Sequence, residues 1–270
     1  MARTREHPPE PARLDRFHHP DLGDPRPGVS IGLGEEEGRH LSIVLRHRRG
    51  DRVEVFDSLG RVVIARVESL GSKRESTVLV VEQVGGILDR TPRRRVRLAV
   101  APPKGERLEW LIEKSAELGV EHVTLIHCRR GVASLEGGSP KLDKLRRKVI
   151  EVAKQCRRNR LMTIDALDFR TYLAQETAAW RWLCHPDDAQ PPEPEALSDP
   201  QPLAALIGPE GGFESDELAE ARAWGWRPTR LGSPILRVET AALVAAALAL
   251  AASPPGEHVP STANPDQQGD

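Results

Sequence analysis

The sequence predicts an α/β protein in which a small β domain precedes a larger domain built on a mostly parallel sheet. Two observations support this prediction. Between residues 51 and 84, three short stretches rich in β-branched residues are separated by turn-like joints, which is typical of antiparallel strands. After residue 95, apolar and amphipathic stretches alternate, as they do in βαβ units whose parallel sheet is covered by helices on both faces.

The β domain begins with a short predicted helix, because Leu41, Val44 and Leu45 recur at helical spacing. Its three strands are predicted over 51–57, 61–70 and 76–84.

The larger domain opens with a strand over 96–101. The helix that follows carries an apolar stripe and is closed by Gly119, where a helix C-cap favours glycine. A second strand, 121–127, leads to a helix entered through Ser139, with Pro140 at its first position. The alternation then continues through the stretches LMTID, RTYLAQET, WRWLCH, LAALIG, ESDELAEARAWG, RPTRLG and VETAALVAAALALAA.

Composition shifts divide the chain. Residues 1–30 are expected to be irregular, 31–88 to form the β domain, 89–252 to form the α/β domain, and 253–270 to be a disordered polar tail. Within the α/β domain, 183–202 is expected to be a loop, since it is too rich in proline for regular structure.

The charge of the chain is unevenly distributed. Residues 89–160, called here the basic middle segment, carry 19 basic and nine acidic side chains, a net charge of +10. Residues 161–270 carry a net charge of −11. The basic middle segment is either a surface for nucleic-acid phosphates or a solvated face that balances an acidic one.

Cysteine usage and hydropathy indicate the class of protein. The three cysteines, Cys128, Cys156 and Cys184, form no metal-ligand spacing, so we expect no metal and a reducing cytosol. The N-terminus has no apolar core of a signal peptide, and the longest apolar run, 241–252, is too short to span a bilayer. A cytoplasmic protein without a membrane partner is therefore predicted.

A glycine-rich stretch follows the apolar run Leu203–Ile207. Gly208, Gly211 and Gly212 either form a tight turn or let the backbone approach a ligand without an intervening Cβ. Loops at the carboxyl ends of parallel strands are where α/β sheets bind ligands. No dinucleotide-binding or P-loop pattern is present.

A second stretch, LGSPILRVETA at 231–241, precedes an Ala-rich helix. Together with GPEGGF at 208–213, it resembles the pattern of the RsmE family of ribosomal RNA methyltransferases, which belongs to the SPOUT superfamily of knotted α/β methyltransferases. The segments 35–57, 102–120 and 153–160 are also similar to motifs of that family. The resemblance covers roughly residues 13–252 and involves several ordered motifs.

The resemblance implies a PUA-like β-barrel that helps to bind RNA, followed by an α/β domain with a trefoil knot. It implies a homodimer with an S-adenosylmethionine pocket made by the knot loops at the subunit interface. The implied activity is methylation of N3 of one uridine in the 16S ribosomal RNA of the small ribosomal subunit. Two alternatives remain open: another SPOUT methyltransferase acting on tRNA or on a ribose 2′-oxygen, and an RNA-binding module without catalysis.

Candidate catalytic residues lie in the same two stretches. Arg237 would stabilise negative charge on the uracil carbonyl oxygens, and Glu210 or Glu239 would accept the N3 proton or hold the arginine. A salt bridge within the loop is the alternative role for Arg237. The predicted cofactor-binding residues are Leu206, Ile207, Gly208, Gly211, Gly212, Leu231, Gly232, Ile235, Leu236, Thr240 and Ala241.

Candidate RNA contacts come from basic side chains, which supply sequence-independent affinity for phosphates. For His40 and Arg46, the alternative role is to stabilise the β domain. For the lysines, the alternative is simple solvation. The predicted RNA-binding residues are Arg16, His40, Arg46, Lys104, Lys114, Lys154 and Arg157.

Overall fold

A computed structural model describes residues 14–71, 76–85, 91–131, 139–187 and 189–251. These residues form two compact units, one made of the residues up to 85 and the other of those from 91 onward. The predicted tail 253–270 and the predicted boundary between residues 88 and 89 lie outside the described residues, and both stay predictions.

The N-terminal unit is a five-stranded sheet. Its strands are β1 (Arg16–His18), β2 (Ser30–Gly32), β3 (Arg52–Phe56), β4 (Val62–Ser69) and β5 (Val78–Val84). Their order is β1-β3-β4-β5-β2, with β1 and β3 parallel and the other pairs antiparallel. The three predicted strands are confirmed. The expectation of an irregular N-terminal segment is wrong for β1, whose Phe17 is fully buried in the core of this unit.

A short helical region precedes β3, as predicted. Helix α1 covers Glu35–Arg39, and the backbone then widens into one π-helical turn, His40–Val44. This turn breaks the 3.6-residue spacing on which the predicted stripe depends. Leu41 is buried as expected, whereas Val44 is 63% exposed and Leu45 is 38% exposed. The prediction of a short helix before the strands is confirmed, although only one of the three apolar residues that suggested it is buried.

The C-terminal unit contains a six-stranded sheet whose neighbouring strands are all parallel. Its strands are β6 (Val96–Val100), β7 (His122–His127), β8 (Thr163–Asp168), β9 (Trp180–Cys184), β10 (Leu203–Ile207) and β11 (Arg227–Thr229). Their order is β11-β9-β10-β6-β7-β8. The prediction of a parallel α/β sheet is confirmed.

Helices cover both faces of this sheet. They are α2 (Glu106–Leu118), α3 (Pro140–Cys156), α4 (Phe169–Gln175), α5 (Pro194–Ser198), α6 (Ser215–Ala223) and α7 (Val238–Ala251). Side chains of α2, α3, α5 and α7 share one core with Leu98 and Val100, and those of α4 and α6 share another with Ala99 and Ala101. Alternate residues of β6 thus face opposite layers. In the described ranges, no helix combines the length and apolar character that a membrane span requires.

Helix α5 lies in the proline-rich segment that we expected to be an irregular loop. Pro194 occupies the start of this helix, where its missing N–H removes no hydrogen bond. Proline therefore starts a short helix here, and the expectation for this segment is wrong over 194–198.

Part of the basic middle segment serves the interior of the C-terminal unit. Arg94 is buried and donates hydrogen bonds to the carbonyl oxygens of Ala196 (2.7 Å) and Ala249 (3.1 Å). Arg158 is also buried and donates to the carbonyl oxygens of Ala116 and Val120, both at 3.0 Å. These cations satisfy carbonyl groups near helix ends, so they are not available to phosphates.

Candidate active site

Three loops meet at one edge of the parallel sheet. Cys184 at the end of β9 is in register with Ile207 of β10 and with Thr229 of β11, so all three strands end together. The loops that leave them, with the start of α7, surround a pocket of about 700 Å³. A volume of this size suits a small-molecule ligand, and the carboxyl edge of the strands is where such sheets bind ligands.

Most of the predicted cofactor-binding residues line this pocket. Leu206 does not, because its side chain is fully buried in the layer that α4 and α6 cover. Thr240 does not line it either, and it is exposed in the first turn of α7. The predicted residues that do line the pocket are Ile207, Gly208, Gly211, Gly212, Leu231, Gly232, Ile235, Leu236 and Ala241. The structure brings these nine together, and their contact with a cofactor stays a prediction.

The loop from Gly208 to Phe213, called here the glycine turn, contains a tight turn. The Gly212 amide donates to the Pro209 carbonyl oxygen at 2.8 Å, and Gly212 has a φ of +73°, which favours glycine. A Cβ at Gly208 would lie 2.8 Å from the Phe213 ring. Two of the three glycines therefore have reasons within the fold, and ligand approach is not needed to explain them.

Arg130, which lies in the segment after β7, stabilises the glycine turn. Its Nη1 donates to the Gly211 carbonyl oxygen at 3.0 Å, and its Nε donates to Glu214 Oε1 at 2.8 Å. Since Arg130 also lines the pocket, it fixes the backbone at the place where a ligand would contact the turn.

Arg237 lines the pocket on the opposite stretch, immediately before α7. Its side chain is exposed, and it makes no ion pair or side-chain hydrogen bond with the rest of the described chain. The alternative role, a salt bridge within the loop, is thus not found among these residues. The guanidinium is available to a ligand in the pocket.

The two candidate carboxylates have different surroundings. Glu210 is 52% exposed and forms an ion pair with Arg107, with Oε1 2.5 Å from Nη1. Glu239 is only 7% exposed, and its Oε1 lies 3.9 Å from the same Nη1. The Oε2 of Glu239 is buried and has no hydrogen-bond partner among the described groups. Neither carboxylate pairs with Arg237; both lie beside Arg107, which sequence reasoning did not select.

Sequence reasoning missed the part of the pocket that follows β9. This segment lies next to the glycine turn only because β9 pairs with β10, which no motif in the sequence indicates. The unpredicted pocket residues at or after the end of β9 include Cys184, His185 and Asp187. Those on other segments include Arg107, Arg130, Thr229 and Arg230.

Among these residues, Cys184 is a candidate nucleophile because it carries a thiol. Burial raises the pKa of the Cys184 thiol to about 12, which disfavours the reactive thiolate at physiological pH. Within the described ranges, no three His, Cys, Asp or Glu side chains are grouped as metal ligands would be.

Two of the predicted RNA-binding residues have side chains engaged in contacts within the fold. Arg16 is buried, forms an ion pair with Glu54, and lies over the Phe56 ring at 4.2 Å from its centroid. The Lys154 side chain is 10% exposed and pairs with Glu151 at 3.0 Å. Both cations have partners within the fold, and their contact with RNA stays a prediction.

The other predicted RNA contacts remain accessible to different degrees. Lys104 and Arg46 are exposed, and Arg46 has a φ of 58°, which is unusual for a side-chain-bearing residue. His40 is half-buried and contacts a phenylalanine edge-on. Lys114 pairs with two glutamates of its own helix, and Arg157 caps the end of α3 in a left-handed conformation. Their contact with RNA stays a prediction.

A family model for the RNA methyltransferase domain matches residues 90–250, more than half of the chain. The parallel sheet and the pocket at its carboxyl edge are thus those of an RNA methyltransferase domain.

Individual relatives identify the family more specifically. Ribosomal RNA small subunit methyltransferase E of Mycobacterium bovis is 30% identical over 237 residues, covering 82% of this chain and 86% of its own. The protein of the same name from Synechocystis is 32% identical over 227 residues, covering 81% and 72%. A Legionella pneumophila structure with bound S-adenosylmethionine matches with a TM-score of 0.80 at 28% identity, covering 89% of this chain and 98% of that one. The chain belongs to the ribosomal RNA small subunit methyltransferase E family, which confirms the resemblance.

Proposed function

We propose that this protein transfers the methyl group of S-adenosylmethionine to N3 of one uridine in the small-subunit ribosomal RNA, in the cytoplasm. The observation that carries the proposal is the pocket at the carboxyl ends of β9, β10 and β11, with Arg237, whose side chain has no ion-pair partner among the described residues, in its wall and the buried Glu239 carboxylate beside it. The family of the chain supports the substrate class.

The residues of the pocket fit S-adenosylmethionine. Ile207, Leu231, Leu236 and Ala241 give it an apolar wall suited to an adenine ring, and the glycine turn offers backbone amides and carbonyls to the polar edges of the ligand. The Legionella pneumophila structure, which is similar over nearly its whole length, has this cofactor bound. When bound, S-adenosylmethionine supplies an activated methyl group, so the protein supplies position and electrostatics.

Two side chains have suitable roles in the reaction. Uracil N3 carries an acidic imide proton, and the new N3–methyl bond forms as the methyl–sulfur bond breaks and the donor leaves as a neutral thioether. Glu239 accepts the N3 proton, because its Oε2 has no hydrogen-bond partner among the described residues, whereas Glu210 forms the shorter ion pair with Arg107, at 2.5 Å. Arg237 donates to a uracil carbonyl oxygen and stabilises the negative charge that develops there.

The finer architecture belongs to the same proposal. We take the N-terminal five-stranded unit as PUA-like and RNA-binding, and the segment 230–237 as the part of a trefoil knot that borders the cofactor. A homodimer is supported by Ile235, an apolar pocket residue that is 85% exposed in the single chain. Sedimentation equilibrium tests the homodimer directly, since a monomer at micromolar concentration would contradict it.

The proposed reaction is tested by mass spectrometry of ribosomal RNA from a strain that lacks this protein. We expect one N3-methyluridine to disappear from the small-subunit RNA and to return when the wild-type chain is supplied. An Arg237→Ala chain should not restore it, and this variant serves as the catalytic control. Loss of a methyl group from tRNA or from a ribose 2′-oxygen, with the uridine unchanged, would favour the alternative SPOUT activities.

Contact of the basic middle segment with RNA phosphates predicts a strong salt dependence. The logarithm of RNA affinity should fall linearly with the logarithm of salt concentration, with a slope of several units. Lys104→Glu should weaken the binding of all RNA sequences alike, because Lys104 is exposed whereas Lys154 is held within the fold. Fluorescence anisotropy with labelled RNA measures both effects.

The matched control is Arg222→Glu, which makes the same charge change at an exposed arginine of α6. RNA affinity should be unchanged in this variant. A flat salt response in the wild-type protein would instead indicate that the basic middle segment is a solvated face.

A further inference from the structure

Arg107 connects three parts of the C-terminal unit that are distant in sequence. It lies in the first turn of α2, and its Nη1 lies 2.5 Å from Glu210 in the glycine turn and 3.9 Å from Glu239 in the first turn of α7. The side chain also lines the pocket. One guanidinium therefore faces both carboxylates that are candidates for the proton acceptor.

The two contacts differ in their electrostatic environment. Glu210 is 52% exposed, so water and salt screen much of its attraction to Arg107. Glu239 is 7% exposed, and a charge interaction there is screened far less. A buried carboxylate without a nearby cation is unfavourable. Among the described residues, the cation within ion-pair distance of Glu239 is Arg107. The contact of Arg107 with Glu239, although longer, is therefore the one that stabilises a buried carboxylate.

The two oxygens of Glu239 are not equivalent. Oε1 faces Arg107, whereas Oε2 is buried without a hydrogen-bond partner within the described ranges. A buried acceptor of this kind costs free energy in the unliganded protein and is satisfied when a donor arrives. The N–H of an imide is such a donor.

We propose that Arg107 is a positioning residue that holds Glu239 through Oε1, so that Oε2 is directed to the N3–H of the bound uracil. Glu210 contributes by engaging the same guanidinium and fixing its place between α2 and the glycine turn. This inference rests on the proposed methyl transfer to uracil N3. It assigns Arg107 an effect on the rate of reaction through Glu239, with little effect on the binding of the methyl donor.

A double-mutant cycle tests this assignment. Single-turnover methylation of small-subunit RNA, at saturating donor and RNA, is measured for the wild type, Arg107→Ala, Glu239→Gln and the double variant. We expect Arg107→Ala to lower the rate about tenfold in the wild-type background and to have almost no effect in the Glu239→Gln background, a coupling of ~1.4 kcal/mol. Arg107→Lys should restore part of the rate, since it keeps the charge but not the planar fork.

Donor affinity separates this role from a merely structural one. Calorimetry with S-adenosylmethionine should give dissociation constants for Arg107→Ala and the wild type that agree within about twofold, because positioning of Glu239 leaves the donor contacts unchanged. If Arg107→Ala does not fold, Arg107→Gln, which is neutral and close in length, takes its place in the cycle. The matched control is Arg170→Ala, which removes an exposed ion pair between α4 and Glu220 of α6 (3.0 Å) outside the basic middle segment and should behave as wild type.

An equal loss of rate in both backgrounds, or a normal rate in Arg107→Ala, would overturn the inference while leaving the proposed function in place. A loss confined to donor affinity would also overturn it. A wild-type protein that binds S-adenosylmethionine but methylates no uridine of the small-subunit RNA would overturn the proposed function itself.

Discussion

Replacement of Arg237 by alanine should lower the single-turnover rate of methylation by about 10²–10³-fold, the loss typical of removing one donor to a developing oxyanion. Arg237 lines the pocket, is exposed, and makes no side-chain hydrogen bond or ion pair with the other described residues. Its removal therefore breaks no contact of the fold. The measurement is single-turnover methylation with saturating S-adenosylmethionine and RNA.

The affinity for S-adenosylmethionine should change little in this variant, because the assigned role of Arg237 lies at the uracil carbonyl oxygen. Arg237→Lys should recover only part of the rate, since a point charge lacks the planar fork of arginine. Arg222→Ala, which removes an exposed arginine of α6, is the control for a general change in charge. A normal rate in Arg237→Ala would contradict the assignment and direct attention to Glu210 and Glu239.

The sheet of the C-terminal unit could be predicted because its signal is local. Residues of β6 and the residue after it alternate between the two faces, Leu98 and Val100 on one and Ala99 and Ala101 on the other, and both faces are covered by helices. A central strand such as β10, LAALI, therefore appears in the sequence as a continuous apolar stretch, and the amphipathic stretches between strands are typical of helices. Period and composition within a few residues suffice for such elements.

The neighbours of each strand could not be predicted in the same way. Parallel strands are joined by crossovers, so the pairing of β9 with both β10 and β11 depends on how the connections pass over the sheet. The segment after Cys184 enters the pocket only through this pairing. The sequence-based site accordingly contains the glycine turn and the stretch before α7, and it lacks the loop after β9.

Short elements whose partners are distant in sequence were also missed. Strand β1 has only three residues and is stabilised by its parallel pairing with β3 and by the burial of Phe17. The π-helical turn after α1 likewise has no periodic signal of its own. For β1, tertiary contacts outweigh local propensity.

The charged residues chosen from the two motifs lie near one another in the structure, whereas those on the basic middle segment have very different surroundings. Arg237, Glu210 and Glu239 belong to two short stretches, and the structure places all three at or beside the pocket. Arg107 looks like one of many charged residues on an amphipathic helix. Arg94 contributes to the positive charge of the basic middle segment, yet its side chain binds buried carbonyl groups. Net charge alone does not separate such roles.

Substitution of Gly232 by valine should weaken the binding of S-adenosylmethionine about a hundredfold in a protein that stays folded, in line with the cost of overfilling a packed site. Gly232 lines the pocket and does not have a positive φ, and a Cβ there would meet only Pro234, at 3.9 Å. Gly212 is less suitable, since its φ of +73° makes any side chain strained regardless of the ligand. Calorimetry measures the affinity, with Gly32→Val as control because Gly32 in β2 also has open space around its Cβ. Unchanged affinity in folded Gly232→Val would show that the donor does not bind against this loop.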